Sequence, residues 1–167
     1  DFKAIFGVEA YFLPSIREWR EEYERIKEDA KAAKKLAKQE TSGATVEDEG
    51  ESKKAQGILK RRRHLILLAQ NQIGLNNIFK MISESYREEN FYRYPRVDYD
   101  MLERYGEGVI AASACLGGVY AGNYWENREN GAEAVLESMR KTTRRMVEIF
   151  GERWFGELQW NNIAEQH

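Results

Sequence analysis

Three side chains of this sequence carry metal-donor chemistry at the edges of short apolar runs. Glu9 lies within GVEAYF, His64 opens HLILLAQ, and Cys115 follows VIAAS. An oxygen, a nitrogen and a sulfur donor together suit zinc, and with more carboxylate or histidine help they also suit manganese or iron. Taken singly, each has a plain structural reading too. A glutamate in an apolar strand is costly to bury unpaired, so it is functional about as often as structural. A histidine ahead of LILLA is more often a satisfied core or strand-edge residue, and a single cysteine after a strand is usually a small buried hydrophobe. The chain has no CxxC and no HxH, so spacing alone does not define a metal site.

The elements that would position these donors alternate between strand and helix. Residues 4–12 read as a buried strand, 64–70 as a second, 109–113 as a third and 154–159 as a fourth. Between the first two, Ser15 with Glu18 forms a capping box for a helix running to about residue 40. Its apolar seam is Ile16, Trp19, Tyr23, Ile26, Ala30, Ala33 and Ala37, thinning to alanine at the far end. Residues 41–57 offer almost nothing to bury and read as a flexible loop. A helix over 75–86 has Leu75, Ile78, Phe79, Ile82 and Tyr86 on one face; FYRYPRVD is a tight aromatic loop. Asp98 caps a short helix to Tyr105, Gly117-Gly118 begin a small-residue turn, and a long helix covers about 130–149. The pattern is that of an α/β sheet or barrel. Glu9 and Cys115 fall near the C-terminal ends of their strands, whereas His64 starts its own. The three meet only if strand 64–70 runs antiparallel to strand 4–12.

Composition narrows the classes further. The chain has 167 residues, enough for one domain with a core. Its 26 basic and 28 acidic residues give a net charge of −2, so nucleic-acid contact would have to be local. A single cysteine excludes an internal disulfide and fits a reducing cytoplasm. No apolar run is long enough for a membrane span, so no membrane partner is expected. Both ends read as cuts through a fold.

Four blocks, in order, resemble a known family. FGVEAYF looks like its glycine-x-glutamate-alanine-aromatic strand. RHLILLAQNQIGLNNIFKMISESY is similar to its histidine-led strand and following helix. FYRYPRVDYDMLERYGEGVIAASACLGG resembles its proline-arginine-aspartate loop and serine-x-cysteine-leucine turn, and FGERWFGELQ its last strand. The family is the PHP (polymerase and histidinol phosphatase) domain of bacterial-type DNA polymerase III alpha subunits. The resemblance implies part of a distorted (β/α) barrel, an incomplete PHP domain over residues 1–167. Residues 13–62 lie outside the matching blocks and read as a charged insertion made of a long helix and flexible loop.

Carried over by position, the resemblance makes Glu9, His64 and Cys115 metal ligands of a zinc or manganese cluster whose other ligands fall outside the chain. The histidine the family places after its last strand is replaced by Asn161 or Asn162. The resemblance further implies a parent protein that synthesises DNA with magnesium in domains absent here. Its partners would be DNA, other polymerase domains and replisome proteins, in the cytoplasm of a bacterial or phage-infected cell. Some family members use the PHP site for 3′→5′ exonuclease proofreading. A stand-alone phosphoesterase and a non-catalytic scaffold are the rival readings. Lys60–Arg63 and Tyr92–Arg96 have the composition of nucleic-acid contacts but read first as a solvated loop and a packed surface loop. Glu157 is assigned to structure.

Overall fold

The apolar runs GVEAYF and RHLILLA form two neighbouring strands, β1 (Gly7–Phe12) and β2 (Arg63–Ala69), paired antiparallel with Glu9 opposite Ile66 and Tyr11 opposite His64. A computed structural model describes residues 3–40, 57–161 and 163–164 of the chain. The expected flexible loop at 41–57 therefore lies, except for Gly57, outside the described residues. The chain divides into two units, Asp1–Pro14 with Arg62–His167, and Ser15–Arg61.

In the larger unit, alternation sorts the strand residues by face. Ala10 and Phe12 of β1 and Leu65 and Leu67 of β2 are buried, while Glu9, Tyr11, His64 and Ile66 occupy the opposite face. The next strands in the chain are a short ribbon, β3 (Phe91–Tyr92) with β4 (Tyr94–Pro95). They are followed by β5 (Val109–Ala112) and β6 (Trp154–Phe155). The main described sheet has the order β1-β2-β5-β6, with β5 antiparallel to β2 and parallel to β6. The fourth strand is shorter than the sequence pattern over 154–159. Beyond Phe155 the Glu157 N–H donates to Ser113 Oγ at 2.8 Å and Gln159 Nε2 donates to the Glu157 carboxylate at 2.6 Å, while Leu158 and Trp160 are fully exposed.

The helices are α1 (Ile16–Glu40) in the smaller unit, then α2 (Gln72–Ser85), α3 (Tyr99–Tyr105), α4 (Val119–Asn127) and α5 (Ala132–Phe150). Ser15 Oγ accepts from Glu18 N–H at 3.2 Å, as the capping pattern requires. The α1 seam follows the expected order, with Ile16 and Trp19 buried and Tyr23, Ile26 and Ala30 half-buried. The side chains of Ala33 and Ala37 lie outside the described set. Within that unit the Trp19 indole donates to the Ile58 carbonyl at 2.7 Å, and Arg61 forms a fork to Glu22 at 2.8 and 3.3 Å.

Two helices differ from the sequence reading. α2 starts three residues earlier than Leu75, capped by Asn71, whose side chain accepts from Gly74 N–H at 3.0 Å. Its buried stripe is Gly74, Asn77, Ile78, Met81 and Ser85, so Phe79 and Tyr86 of the expected face are exposed. The cause is a close approach of backbones: a Cβ on Gly74 would lie 1.8 Å from the Gly108 carbonyl oxygen. Asn77 seals the contact by donating to Glu107 O at 2.9 Å. The second difference is α4, which occupies residues that read as a small-residue turn. It is fixed to α5 by Asn123 donating to Thr142 Oγ1 (2.8 Å) and by the Tyr120–Thr143 hydroxyl pair (2.7 Å).

The short α3 is capped as expected, Asp98 accepting from Met101 N–H at 3.1 Å. Next to it, Glu84 is only 12% exposed and accepts from Arg104 at 3.2 Å and from Tyr105 OH at 2.9 Å. Burial alone would raise this carboxyl. The hydrogen bonds from Arg104 and Tyr105, with the charges of Arg104 and Arg87, hold it below the ordinary value.

Two outcomes follow from these contacts. Gly74→Ala should lower the denaturant midpoint, by an amount equivalent to about 1–3 kcal/mol or more, because backbone rather than a flexible side chain blocks the new methyl. A carboxyl depressed on folding contributes stability above its unfolded pKa and loses it as pH falls through the folded one. Wild-type stability should therefore fall more steeply than that of Glu84→Gln as pH drops below about 4.3, read from denaturant midpoints across an acid series.

Candidate metal centre

The β1–β2 register makes Glu9 and His64 diagonal neighbours on one face, a separation that long side chains can bridge. His64 Nδ1 lies 2.7 Å from Glu9 Oε1. Continuing the β2–β5 register past Ile66–Ala112 would set His64 opposite Ala114. There the chain leaves the ladder: Ala114 adopts a left-handed φ of 60°, and Gly118 N–H closes a turn on Cys115 O at 2.8 Å. This turn folds back over the start of β2 and brings Cys115 Sγ to 3.5 Å from His64 Nδ1. All three sequence-derived residues thus converge on one imidazole nitrogen, and the antiparallel constraint that their positions demanded is met.

The donor spacing bears on what the trio can hold. In a tetrahedral zinc site a nitrogen and a sulfur ligand stand about 3.5 Å apart, which is the N···S separation here. The N···O separation is that of a hydrogen bond. The carboxylate would have to withdraw by less than about 1 Å to become a third ligand, and Glu9, with its side chain 51% exposed, has room to do so. As they stand, no three or more His, Cys, Asp or Glu side chains among the described residues are arranged to hold a metal ion. By chemical type the three donors suit zinc, while the His64–Glu9 edge has the spacing of a hydrogen bond.

The surroundings are aromatic and cationic. The Tyr11 ring is 5.5 Å from the His64 ring and meets Tyr94 edge-on at 5.1 Å. The Arg62 guanidinium lies over both tyrosines, at 5.1 and 4.5 Å from their centroids. Cys115 borders a cleft of about 700 Å³ whose wall includes Tyr120, Arg140, Arg144 and Glu157. Glu9 borders another of about 430 Å³, with Tyr86, Phe91, Arg93 and Tyr94.

The basic run is engaged within the protein. Arg61 pairs with Glu22, Arg62 stacks on tyrosines, and Arg63 pairs with Glu126. The FYRYP segment is a ribbon rather than a loop, turned at Arg93 with φ 59°. The adjacent Arg96 is fully buried, donating at 2.9 Å to both the Tyr92 and Tyr94 carbonyls. The residue that sequence reasoning passed over is Gly117, noticed only as part of a turn. Its neighbour relations to His64 and Cys115 are not encoded in any local pattern.

Comparison with known proteins places the sequence in a class. The PHP domain matches residues 1–160, and the chain belongs to that family. Among curated proteins it is similar to the DNA polymerase III subunit alpha of Aquifex aeolicus, 35% identical over 164 residues, which cover 98% of this chain and 11% of that protein. The subunit of the same name from Borreliella burgdorferi is 34% identical over 164 residues, again 98% of this chain and 11% of the relative. That of Thermus aquaticus is 36% identical over 103 residues, 62% of this chain and 8% of the relative. The chain thus spans about a tenth of the length of these first two relatives. Among the described residues no helix is long and apolar enough to cross a membrane.

The strained residue before Cys115 gives a direct check. A left-handed conformation costs a non-glycine residue about 1–2 kcal/mol, whereas glycine adopts it freely. Ala114→Gly should therefore leave the denaturant midpoint unchanged or raise it. The same substitution inside an ordinary helix costs about 1 kcal/mol.

Proposed function

We propose that this chain is the PHP-domain portion of a replicative DNA polymerase III alpha subunit, and that Glu9, His64 and Cys115 are ligands of its zinc or manganese centre. The observation that carries the reading is the convergence of three chemically different donors, from distant parts of the sequence, on His64 Nδ1. The names and extents of the relatives support the parent's identity. A divalent cation held there would polarise a phosphodiester as a Lewis acid. Glu9 supplies an anionic oxygen that offsets the cation's charge, and Cys115 biases the site toward softer metals. His64 Nδ1 faces both of the other donors and links them. In the parent this centre would support 3′→5′ exonuclease proofreading on DNA. Magnesium-dependent nucleotide addition and contacts with replisome proteins would belong to the remainder of the polypeptide.

On the same reading the described sheet is an arc of a distorted barrel, and residues 13–62 are an insertion between its strands. The antiparallel β1–β2 pair and the separate clustering of Ser15–Arg61 support this. A second reading, a metal-free scaffold, draws on the lack among the described residues of a trio already arranged around a cation.

Metal analysis of the full-length parent, together with an exonuclease assay on a mismatched primer, separates the two. Zinc or manganese should co-purify and fall away in Cys115→Ala and His64→Ala, with proofreading reduced at least about 100-fold. Full-length protein with neither metal nor exonuclease would establish the scaffold reading. Residues 1–167 alone, supplied with manganese or zinc, should show only background turnover on primer-template DNA, since hydrolysis by several ions needs more ligands than these three. Robust turnover abolished by Cys115→Ala would overturn that expectation.

A further inference from the structure

Gly117 touches two members of the donor trio in three separate ways. Its carbonyl accepts from His64 N–H at 2.8 Å, tying down the backbone from which the imidazole projects. Its own N–H points to Cys115 Sγ at 3.4 Å, within the reach of a hydrogen bond to sulfur. A Cβ built on it would stand 3.1 Å from both Cε1 and Nδ1 of His64 and 3.4 Å from Cγ, against the ring that carries the shared nitrogen. This glycine is not required by its backbone angle, because among the described residues the positive-φ glycines are Gly108, Gly131 and Gly151. The chain is therefore free of a side chain at this point for a reason of space, and the space adjoins Nδ1.

We propose that Gly117 is a positioning residue of the metal centre: its two backbone groups fix the His64 backbone and the Cys115 sulfur, and its missing side chain leaves the imidazole room to present Nδ1. The proposal rests on the metal-centre reading above. The physical logic is that of any outer group that orients a ligand: a ring shifted by a few tenths of an ångström no longer aligns its lone pair with the cation. Loss of such orienting groups typically weakens metal binding by about 10- to 100-fold. The N–H to sulfur contact adds a second effect, holding Cys115 toward His64 rather than toward the cleft that it also borders.

The test uses Co2+ as probe on the intact chain, because a thiolate bound to cobalt gives a near-ultraviolet charge-transfer band that reports the Cys115–metal bond independently of activity. Wild type should give a saturable band that Cys115→Ala abolishes. Gly117→Ala should bind Co2+ at least about tenfold more weakly, with a shifted or weakened band and an unchanged cooperative thermal transition. Gly156→Ala is the control for adding a methyl to a glycine, since its Cβ would meet only Tyr120, at 3.9 Å, and it should bind as wild type does. A second variant, with Gly117 replaced by glycolic acid so that an ester deletes the N–H and adds no atom, should keep the fold and weaken the sulfur band. It also answers the question if Gly117→Ala does not fold. Gly117→Ala and the ester both binding within threefold of wild type with the same spectrum would overturn the positioning role and leave the metal centre standing. A wild-type chain with no Cys115-dependent band would overturn this proposal, while metal analysis of the full-length parent decides the metal-centre reading separately.

Discussion

The antiparallel pairing of β1 with β2 is the constraint on which the site depends. Glu9 lies inside the first strand and His64 almost at the start of the second. The antiparallel register places them diagonally on one face, and its parity simultaneously turns Ala10, Phe12, Leu65 and Leu67 into the core. A one-residue slip of β1 would bury Glu9 and expose Ala10 and Phe12, so hydrophobic burial enforces the geometry that the polar face uses. The β2–β5 pairing then brings the turn after β5 to the same end, and Cys115 arrives beside His64.

Much of this was legible in the sequence, for identifiable reasons. The strand runs are short, β-branched and leucine-rich, and the Ser15 and Asp98 caps carry their partners at the expected offset. The antiparallel relation followed from requiring three donors to meet. The residues 4–6 and 156–159, apolar in pattern, stay outside the described strands. A run of suitable residues forms a strand only where a neighbour offers its backbone, and that is not a local property.

What could not be read depends on tertiary contact. The buried face of α2 is rotated because Gly74 lets the helix sit on the Gly108 backbone, a contact made across thirty-four positions. α4 begins at Gly-Gly and holds a further glycine, Gly122. Local propensity argues against a helix there, yet Gly122 leaves space filled by the Arg63 side chain. Arg96 is charged and fully buried because two carbonyls of the ribbon receive its guanidinium, a pairing that composition cannot show.

The clasp at the base of α1 has a kinetic meaning. Pairing Phe12 with Arg63 closes a loop of about fifty residues. That costs about 1.4 kcal/mol more than closing a ten-residue loop. Trp19 bonded to Ile58 and Glu22 forked to Arg61 tie the excursion together near its two ends. Once they form, the span that the strands still have to close is roughly that of a short hairpin connection. The length of chain between the clasp points then has little influence on the search by which β1 finds β2. The length of that stretch enters only through the cost of forming the clasp itself, about 0.6 kcal/mol for each doubling.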